Sequence, residues 1–509
     1  MLQYRGFQMI YTVTSTLPPL HGGRTKSLLE RSKFLDQALN IPTTILTTNY
    51  NANYNDVYRK FLTEGKVTEN IRYDNIYDWL ADYKLLSCSE PYDSSTTTYI
   101  ETSVKIEGLT HVVDTSKHIV RYYSNDKTYV LYRKFKENTN ILEFEDFMST
   151  ISKKRIQRWQ YNNYGVLHKK LHYSPNSKKR IYEEFFDKNG NIYCTKMFED
   201  NEKNSLIYIQ TYRHGRPHLT FKTEKQLFQH YFENKFNEND VVFCDARLLD
   251  KPLLNQQNKT KNILVFHSSH LNDNKTINQS YKMALENPQK VTQYLLLTEK
   301  QKSDILNVTN IDPDKISIIP HFIMPHQSTD NVEQLDRFVF IGRIAEEKQI
   351  NHILYAYHNF LKSGFTTKLS IYGRDEFGQQ RKLEQLIEEL ELQDNIDING
   401  FTNNPLMEFQ KSKASLLTSS FEGFGLSVME SINVGCPVIS YDVRYGPSEI
   451  IDHGKNGYLV EQDNISELTK YMKLIIEQPL QNVHTKPELT FESAKQNYKQ
   501  LFDSIEYSY

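Results

Sequence analysis

The stretch "ASLLTSSFEGFGLSVMES", Ala414 to Ser431, runs from an apolar segment through a glycine-bearing loop into a segment with apolar residues at helical spacing. That succession reads as strand, turn and helix, the unit from which parallel sheets are built. Glu422 falls in the loop, and Glu430 follows eight positions later inside the expected helix. If the helix begins near Gly425, then Leu426, Met429 and Ile432 lie toward a core, while Glu430 sits at the edge of that stripe beside Ser427. Gly423 and Gly425 would leave room for a ligand against backbone amides. Taken alone, two glutamates at a helix start serve equally well as partners of the helix dipole.

The same alternation extends in both directions. Around this unit lie "RFVFIG", a helix, "KLSIYG", a helix, "NIDINGF", a helix, "PVISYD" and "GYLVE". Upstream, "MIYTVT" (Met9 to Thr14) and "PTTILTTNY" (Pro42 to Tyr50) read as strands, with a helix from near Thr25 between them and "YDNIYDWLADY" as a helical connection. "DVVFCDA", "NILVFH", "QYLLLT" and "ISIIPH" read as further strands. "TEKQLFQHYFENKF" and "EKQKSDIL" read as helices, the latter with Thr298 and Gln301 spaced for a capping box.

Between the upstream runs the texture changes. "TTTYIETSVKI", "HIVRYYSNDKTYVLYRKF" and "YEEFFDKNGNIYCTKMF" are aromatic and β-branched runs divided by turn clusters, which predicts antiparallel hairpins. Asn189-Gly190 supplies the positive φ angles of a tight turn. "DKNGN" also echoes a calcium loop, but the twelfth position from Asp187 is Phe198 where a bidentate Glu is required.

The expected architecture is therefore α/β: two Rossmann-like domains facing a cleft, with a β-rich insertion in the first. Residues 1–88 and 221–322 form the first domain and 89–220 the insertion. Residues 323–489 form the second, entered through the linker "MPHQSTDNVEQLD", and 490–509 a helix packing back on the body.

At 509 residues the chain exceeds one core, which favours a site between domains. Sixty-one basic against 63 acidic side chains give a net charge of -2, so no basic field exists to attract nucleic acid. Cys88, Cys194, Cys244 and Cys436 form no C-x-x-C pair, and they read as reduced, cytosolic and mostly buried. No leader peptide is expected, and no stretch approaches the roughly 18 apolar residues of a membrane span. Membrane contact, if made, would be peripheral at the inner face of the membrane.

Parallel sheets bind ligands at the carboxyl ends of their strands. Besides Glu422 and Glu430, three stretches lie there. "HGGRTK" places Gly22 and Gly23 at a helix start, where free N–H groups suit phosphate; without Walker spacing it could equally be a plain turn. "FIGRIAEEKQI" sets Arg343 and Lys348 five apart beyond a strand, a pair able to neutralise a diphosphate or simply to be solvated. "VFHSSHLND" brings His267 and His270 after a strand; one could face a ligand, and the other would be packed or solvated. "DPD", Asp312 to Asp314, has the form of a metal-binding D-x-D, but Pro313 makes it a turn.

With Arg343, Lys348, Glu422 and Glu430 in this order, the C-terminal half resembles retaining GT-B glycosyltransferases of glycosyltransferase family 4. "SFEGFGLSVMES" corresponds to the family's E-x7-E element and "YDVRYGPSEIIDHGKNGYLV" to the segment that follows it. The resemblance covers about Asn262 to Glu477. It implies that Glu430 holds the nucleotide ribose, Glu422 the donor-sugar hydroxyls, and Arg343 and Lys348 the diphosphate, with Gly400, Phe401 and Thr402 at the base. It also implies that Gly423, Phe424, Gly425 and Leu426 line the donor site, Gly22 and Gly23 form a phosphate loop, and His267 meets the reacting sugar.

The insertion narrows the likeness to bacterial wall-teichoic-acid α-glycosyltransferases and, next to them, to enzymes that glycosylate serine-rich adhesins. What this implies is transfer of glucose or N-acetylglucosamine from a UDP-sugar to poly(ribitol phosphate) or poly(glycerol phosphate). A serine-rich protein acceptor, or a noncatalytic GT-B-like partner role, are the alternatives. It further implies a cytoplasmic homo-oligomer, a trimer in the former group, and no metal requirement.

Overall fold

Short runs of β-branched and aromatic residues bounded by glycine and polar turns become parallel strands here because helices of matching period cover both faces. The computed structural model describes residues 9–81, 99–272, 275–323 and 332–506. The chain divides into two units, Met1–Asn262 and Ile263–Tyr509.

In the first unit, strand Ile10–Thr14 pairs in parallel with Thr44–Thr47 on one side and Val241–Cys244 on the other. Thr44–Thr47 pairs in turn with Arg72–Asn75. That last strand corrects the reading of Tyr73 to Tyr83 as helical: among the described residues of that run, Ile76–Leu80 is helix, capped by the Asn75 side chain. Tyr83 and Cys88 lie outside the described residues, whereas Cys194, Cys244 and Cys436 are buried free thiols.

The β-rich segment is one ten-stranded antiparallel meander from Thr110–Asp114 to Arg216–Phe221, each strand pairing with its neighbours in sequence. The 96–106 run is no strand where described, although Ile100 and Thr102 donate backbone hydrogen bonds to Tyr164 and Asn140. At the Asn189-Gly190 turn only Gly190 has positive φ. The Asp187 carboxylate accepts from the amides of Asn189 and Asn191 (2.9 and 2.8 Å), so the acidic residue fixes the turn. The sheet is tied to the helix Tyr54–Thr63: Tyr164 donates its hydroxyl to Asp56 (3.1 Å), and the Asn163 amide donates to Asn53 (2.7 Å).

In the second unit, Ile263–Val265, the end of strand Lys261–Val265, and strand Ile316–Ile318 flank strand Gln293–Leu296 in parallel. The helix Glu299–Val308 follows, its Thr298 hydroxyl accepting from the Gln301 amide at 3.2 Å. The expected capping box is only half formed, because the Gln301 side chain donates to the Ser268 carbonyl (2.9 Å). Asp312 caps the turn Pro313–Lys315 by accepting from the Asp314 amide (3.0 Å).

A six-stranded parallel sheet follows, ordered Ile396–Ile398, Lys368–Tyr372, Arg337–Ile341, Ala414–Leu417, Val438–Tyr441 and Gly457–Val460. Helices Ile350–Lys362 and Ile465–Glu477 bury Leu354, Tyr357, Leu468 and Met472 in its core. Helix Leu426–Asn433 buries Val428, Met429 and Ile432 in a second cluster, with Leu426 only partly buried. The last helix, Phe491–Glu506, buries Tyr498, Leu501 and Phe502. Among the described residues no helix is long and apolar enough to cross a membrane.

Candidate functional site

Strands Arg337–Ile341 and Ala414–Leu417 are neighbours, with Phe338 opposite Ala414 and Val339 opposite Ser415. Their carboxyl-end loops therefore start side by side. Thr418 donates its hydroxyl to the carbonyls of Lys348 and Gln349 (both 3.0 Å), and the Ser420 amide donates to the Glu347 carbonyl (2.8 Å). This lacing brings the Arg343–Lys348 loop against the Glu422 loop.

The result is a charge network. Lys348 Nζ lies 2.6 Å from Glu422 Oε1, with both side chains largely buried (16% and 13% exposed). The same carboxylate oxygen accepts the Ser419 hydroxyl at 2.7 Å. Arg343, half exposed, donates to Glu347 at 2.6 Å and pairs with Glu376. Lys348 ends the turn Glu346–Lys348, one residue before the helix Ile350–Lys362, whose first N–H groups add positive potential. Two cations held by exchangeable carboxylates, at a helix N-terminus and at the carboxyl ends of parallel strands, can accept a polyanion in their place.

Glu430 lies half-buried on the helix Leu426–Asn433, whose N-cap is Gly425. The helix thus starts where the sequence places it. A Cβ on Gly423 would stand 2.0 Å from the His267 carbonyl oxygen, whereas one on Gly425 would meet Val428 and Ile450 only at ordinary contact distance, and it is the φ of +98° that favours glycine there. Gly423 is a glycine because the backbone after strand Lys261–Val265 runs directly against it. That close approach sets His267 beside the Glu422 loop. Phe424 is buried, its ring edge-on to His321 at 5.2 Å, and His321 stacks against His267 at 6.3 Å.

The two candidate histidines part company. His267 is half-buried. His270 is fully buried and lies parallel to Tyr445 at 6.2 Å, with burial, then Arg444, pushing its pKa down to about 4 despite the opposing pull of Asp304. His270 is the packed histidine.

Gly400 and the exposed Phe401 follow strand Ile396–Ile398. The Gly400 carbonyl accepts from Gly373 (2.7 Å), and the Gly342 amide donates to Tyr372 (3.0 Å), so the rim from Thr402 to Arg343 is one hydrogen-bonded run of strand ends. Thr402 holds the Asn404 amide through its hydroxyl (3.1 Å).

Gly22 and Gly23 belong to the first unit. The helix runs Gly23–Leu39, two residues ahead of the expected start, with Gly22 as N-cap and no acidic residue in its first turn. Nearby, Lys66 Nζ sits 3.2 Å from His21 Nε2; burial, then Lys66, lowers the His21 pKa to about 4.

Sequence reasoning missed Glu347, Glu376 and Ser419, the groups that hold Arg343 and Glu422. Their one legible signal was position: each lies within a few residues of a strand end.

Residues 326–490 match the family described as glycosyl transferases group 1. Over that stretch the chain resembles a group 1 glycosyl transferase. The poly(ribitol-phosphate) α-N-acetylglucosaminyltransferase of Staphylococcus aureus (strain COL) is 28% identical over 480 residues, covering 92% of each chain. The poly(glycerol-phosphate) α-glucosyltransferase of Bacillus subtilis (strain 168) is 26% identical over 469 residues, 90% of this chain and 68% of that one. The crystal structure of an S. aureus TarM variant with fondaparinux, α-GlcNAc-glycerol and UDP superimposes with a TM-score of 0.80 at 23% identity. It covers 97% of this chain and 99% of that one. The fold is thus the α/β fold of the GT-B glycosyltransferases.

Proposed function

We propose that this chain is a retaining glycosyltransferase that moves glucose or N-acetylglucosamine from its UDP form to a hydroxyl of wall teichoic acid in α linkage. The observation that carries the reading is the Lys348–Glu422 contact beside Arg343 at the strand ends. Two cations poised against carboxylates are what a departing diphosphate needs.

In this reading Arg343 and Lys348 neutralise the diphosphate, and no metal ion takes part. Glu422 releases Lys348 to the phosphates and turns to the donor-sugar hydroxyls. Glu430 holds the ribose, Gly400 to Thr402 border the base, and His267 meets the sugar. Retention follows if the leaving diphosphate takes the acceptor proton on its own face of the sugar. The protein then acts by holding the reactants in line and by stabilising leaving-group charge. Gly22 and Gly23 offer a second anion-binding helix start.

The relatives acting on poly(ribitol phosphate) and poly(glycerol phosphate) align over nine-tenths of this chain, β-rich segment included, which supports a polyol-phosphate acceptor. We place the chain in glycosyltransferase family 4, working in the cytoplasm at the inner membrane face. The insertion would serve assembly into a homo-oligomer, with a trimer as the expected form.

The test is a panel of UDP-hexoses offered with poly(ribitol phosphate), poly(glycerol phosphate) or a serine-rich peptide. One UDP-hexose should yield an α-linked product on a polyol polymer. Transfer to the peptide alone, or to nothing, overturns the reading.

A further inference from the structure

The segment "RYGPSEI" after strand Val438–Tyr441 takes no part in the site described above, yet it clasps the Glu422 loop from behind. The Glu422 amide donates to the Arg444 carbonyl (2.8 Å), and the Tyr445 amide donates to the Glu422 carbonyl (2.6 Å). A Cβ on Gly446 would fall 1.6 Å from the Phe424 carbonyl oxygen, so the two strips of backbone touch. Tyr445 is fully buried and donates its hydroxyl to Asp304 on the helix Glu299–Val308 (2.7 Å). Asp304 also pairs with Arg444 Nε at 2.7 Å. The His270 ring runs parallel to the Tyr445 ring at 6.2 Å.

From this geometry we propose that Tyr445, anchored through its phenol by Asp304, is a positioning residue for Glu422. Packing alone would be satisfied by phenylalanine; the hydroxyl adds one directional bond that fixes where the 444–446 strip lies. Because that strip holds Glu422 by both its N–H and its C=O, slackening it moves the carboxylate relative to Lys348 and to whatever Lys348 binds. A shift of about 1 Å in such a group is enough to cost a large factor in rate. The consequence for turnover rests on the glycosyltransferase reading; the structural claim does not.

The experiment uses the full-length chain and Tyr445→Phe. Hydrogen exchange of the peptide containing Phe421 to Gly425 should quicken, while the melting temperature stays within about 2 °C of wild type, as for loss of one hydrogen bond. Turnover should fall about tenfold in the wild-type background, the worth of one such bond, with UDP affinity unchanged. In a Glu422→Gln background Tyr445→Phe should add nothing, because the group it positions is already disabled. Asp304→Ala should reproduce these effects, and Asp304→Asn, which keeps an oxygen for the phenol, should show them weakly. Unchanged exchange, or a loss that multiplies that of Glu422→Gln, overturns the proposal. If wild type transfers no sugar from any UDP-hexose, the proposed function falls, and the exchange measurement alone decides whether Tyr445 fixes the Glu422 loop.

Discussion

Lys348 Nζ rests 2.6 Å from Glu422 Oε1, joining residues 74 positions apart. The pair forms because adjacent parallel strands end together, and Thr418 and Ser420 then stitch their loops into one rim. Lys348 is thereby pre-placed, largely desolvated, with a carboxylate that a phosphate can displace. A largely buried pair of this kind is screened less by salt than a surface pair.

Glu422→Gln keeps the size and the Ser419 hydrogen bond but removes the charge. Turnover is expected to fall by about 10- to 100-fold, the worth of a hydrogen bond to a charged group, while UDP itself binds at least as tightly because Lys348 loses a competing anion. Steady-state kinetics with calorimetric titration of UDP checks both halves; weakened UDP binding contradicts the assignment of Glu422 to the sugar.

Glu376→Gln frees one side of Arg343, which is half exposed and otherwise held by Glu347. UDP affinity should rise about two- to threefold at low salt, the scale of an exposed ion pair, and the gain should fade at high salt as screening sets in. Titration at two ionic strengths reads this directly.

Gly446 has φ +105° and no space for a Cβ beside Phe424. Gly446→Ala is expected to destabilise the second unit by about 1–3 kcal/mol from backbone strain alone, with the clash adding to it. Denaturant unfolding measures the loss, and an unchanged midpoint would contradict the close approach.

The fold was legible wherever period and punctuation agreed. The strands of the six-stranded parallel sheet stand where their apolar runs predict, and the helix after Gly425 begins within one residue of its expected start. Local spacing misled where a partner elsewhere decided the outcome. Arg72–Asn75 is a strand because Thr44–Thr47 offers it an edge, and Gln301 leaves its capping box because the Ser268 carbonyl is near. In the site, the order of charges made Arg343, Lys348 and Glu422 visible. Glu347, Glu376 and the Tyr445–Asp304 anchor were not visible, since nothing in a lone sequence pairs a loop tyrosine with an aspartate 141 positions earlier.

His168 and His270 are buried and neutral, with pKa values pushed down by burial to about 3 and about 4; the Lys169 charge pushes His168 further in the same direction. In the unfolded chain each takes a proton near pH 6.5, so below that pH the unfolded state binds more protons and stability falls with acidity. Each contributes on the order of 1.4 kcal/mol of loss per pH unit between about pH 6.5 and its folded value. Melting temperatures from pH 7.5 to 5 should decline, and His168→Phe should flatten the slope if the fold accommodates the ring; a flat wild-type profile contradicts it.

The central claim is that Lys348 neutralises a sugar diphosphate. Its most direct test is turnover of Lys348→Ala against wild type with the UDP-hexose and polyol polymer that react, circular dichroism confirming the fold. The account predicts a loss near 100-fold or more, about 3 kcal/mol of transition-state stabilisation. Turnover within twofold of wild type would contradict it.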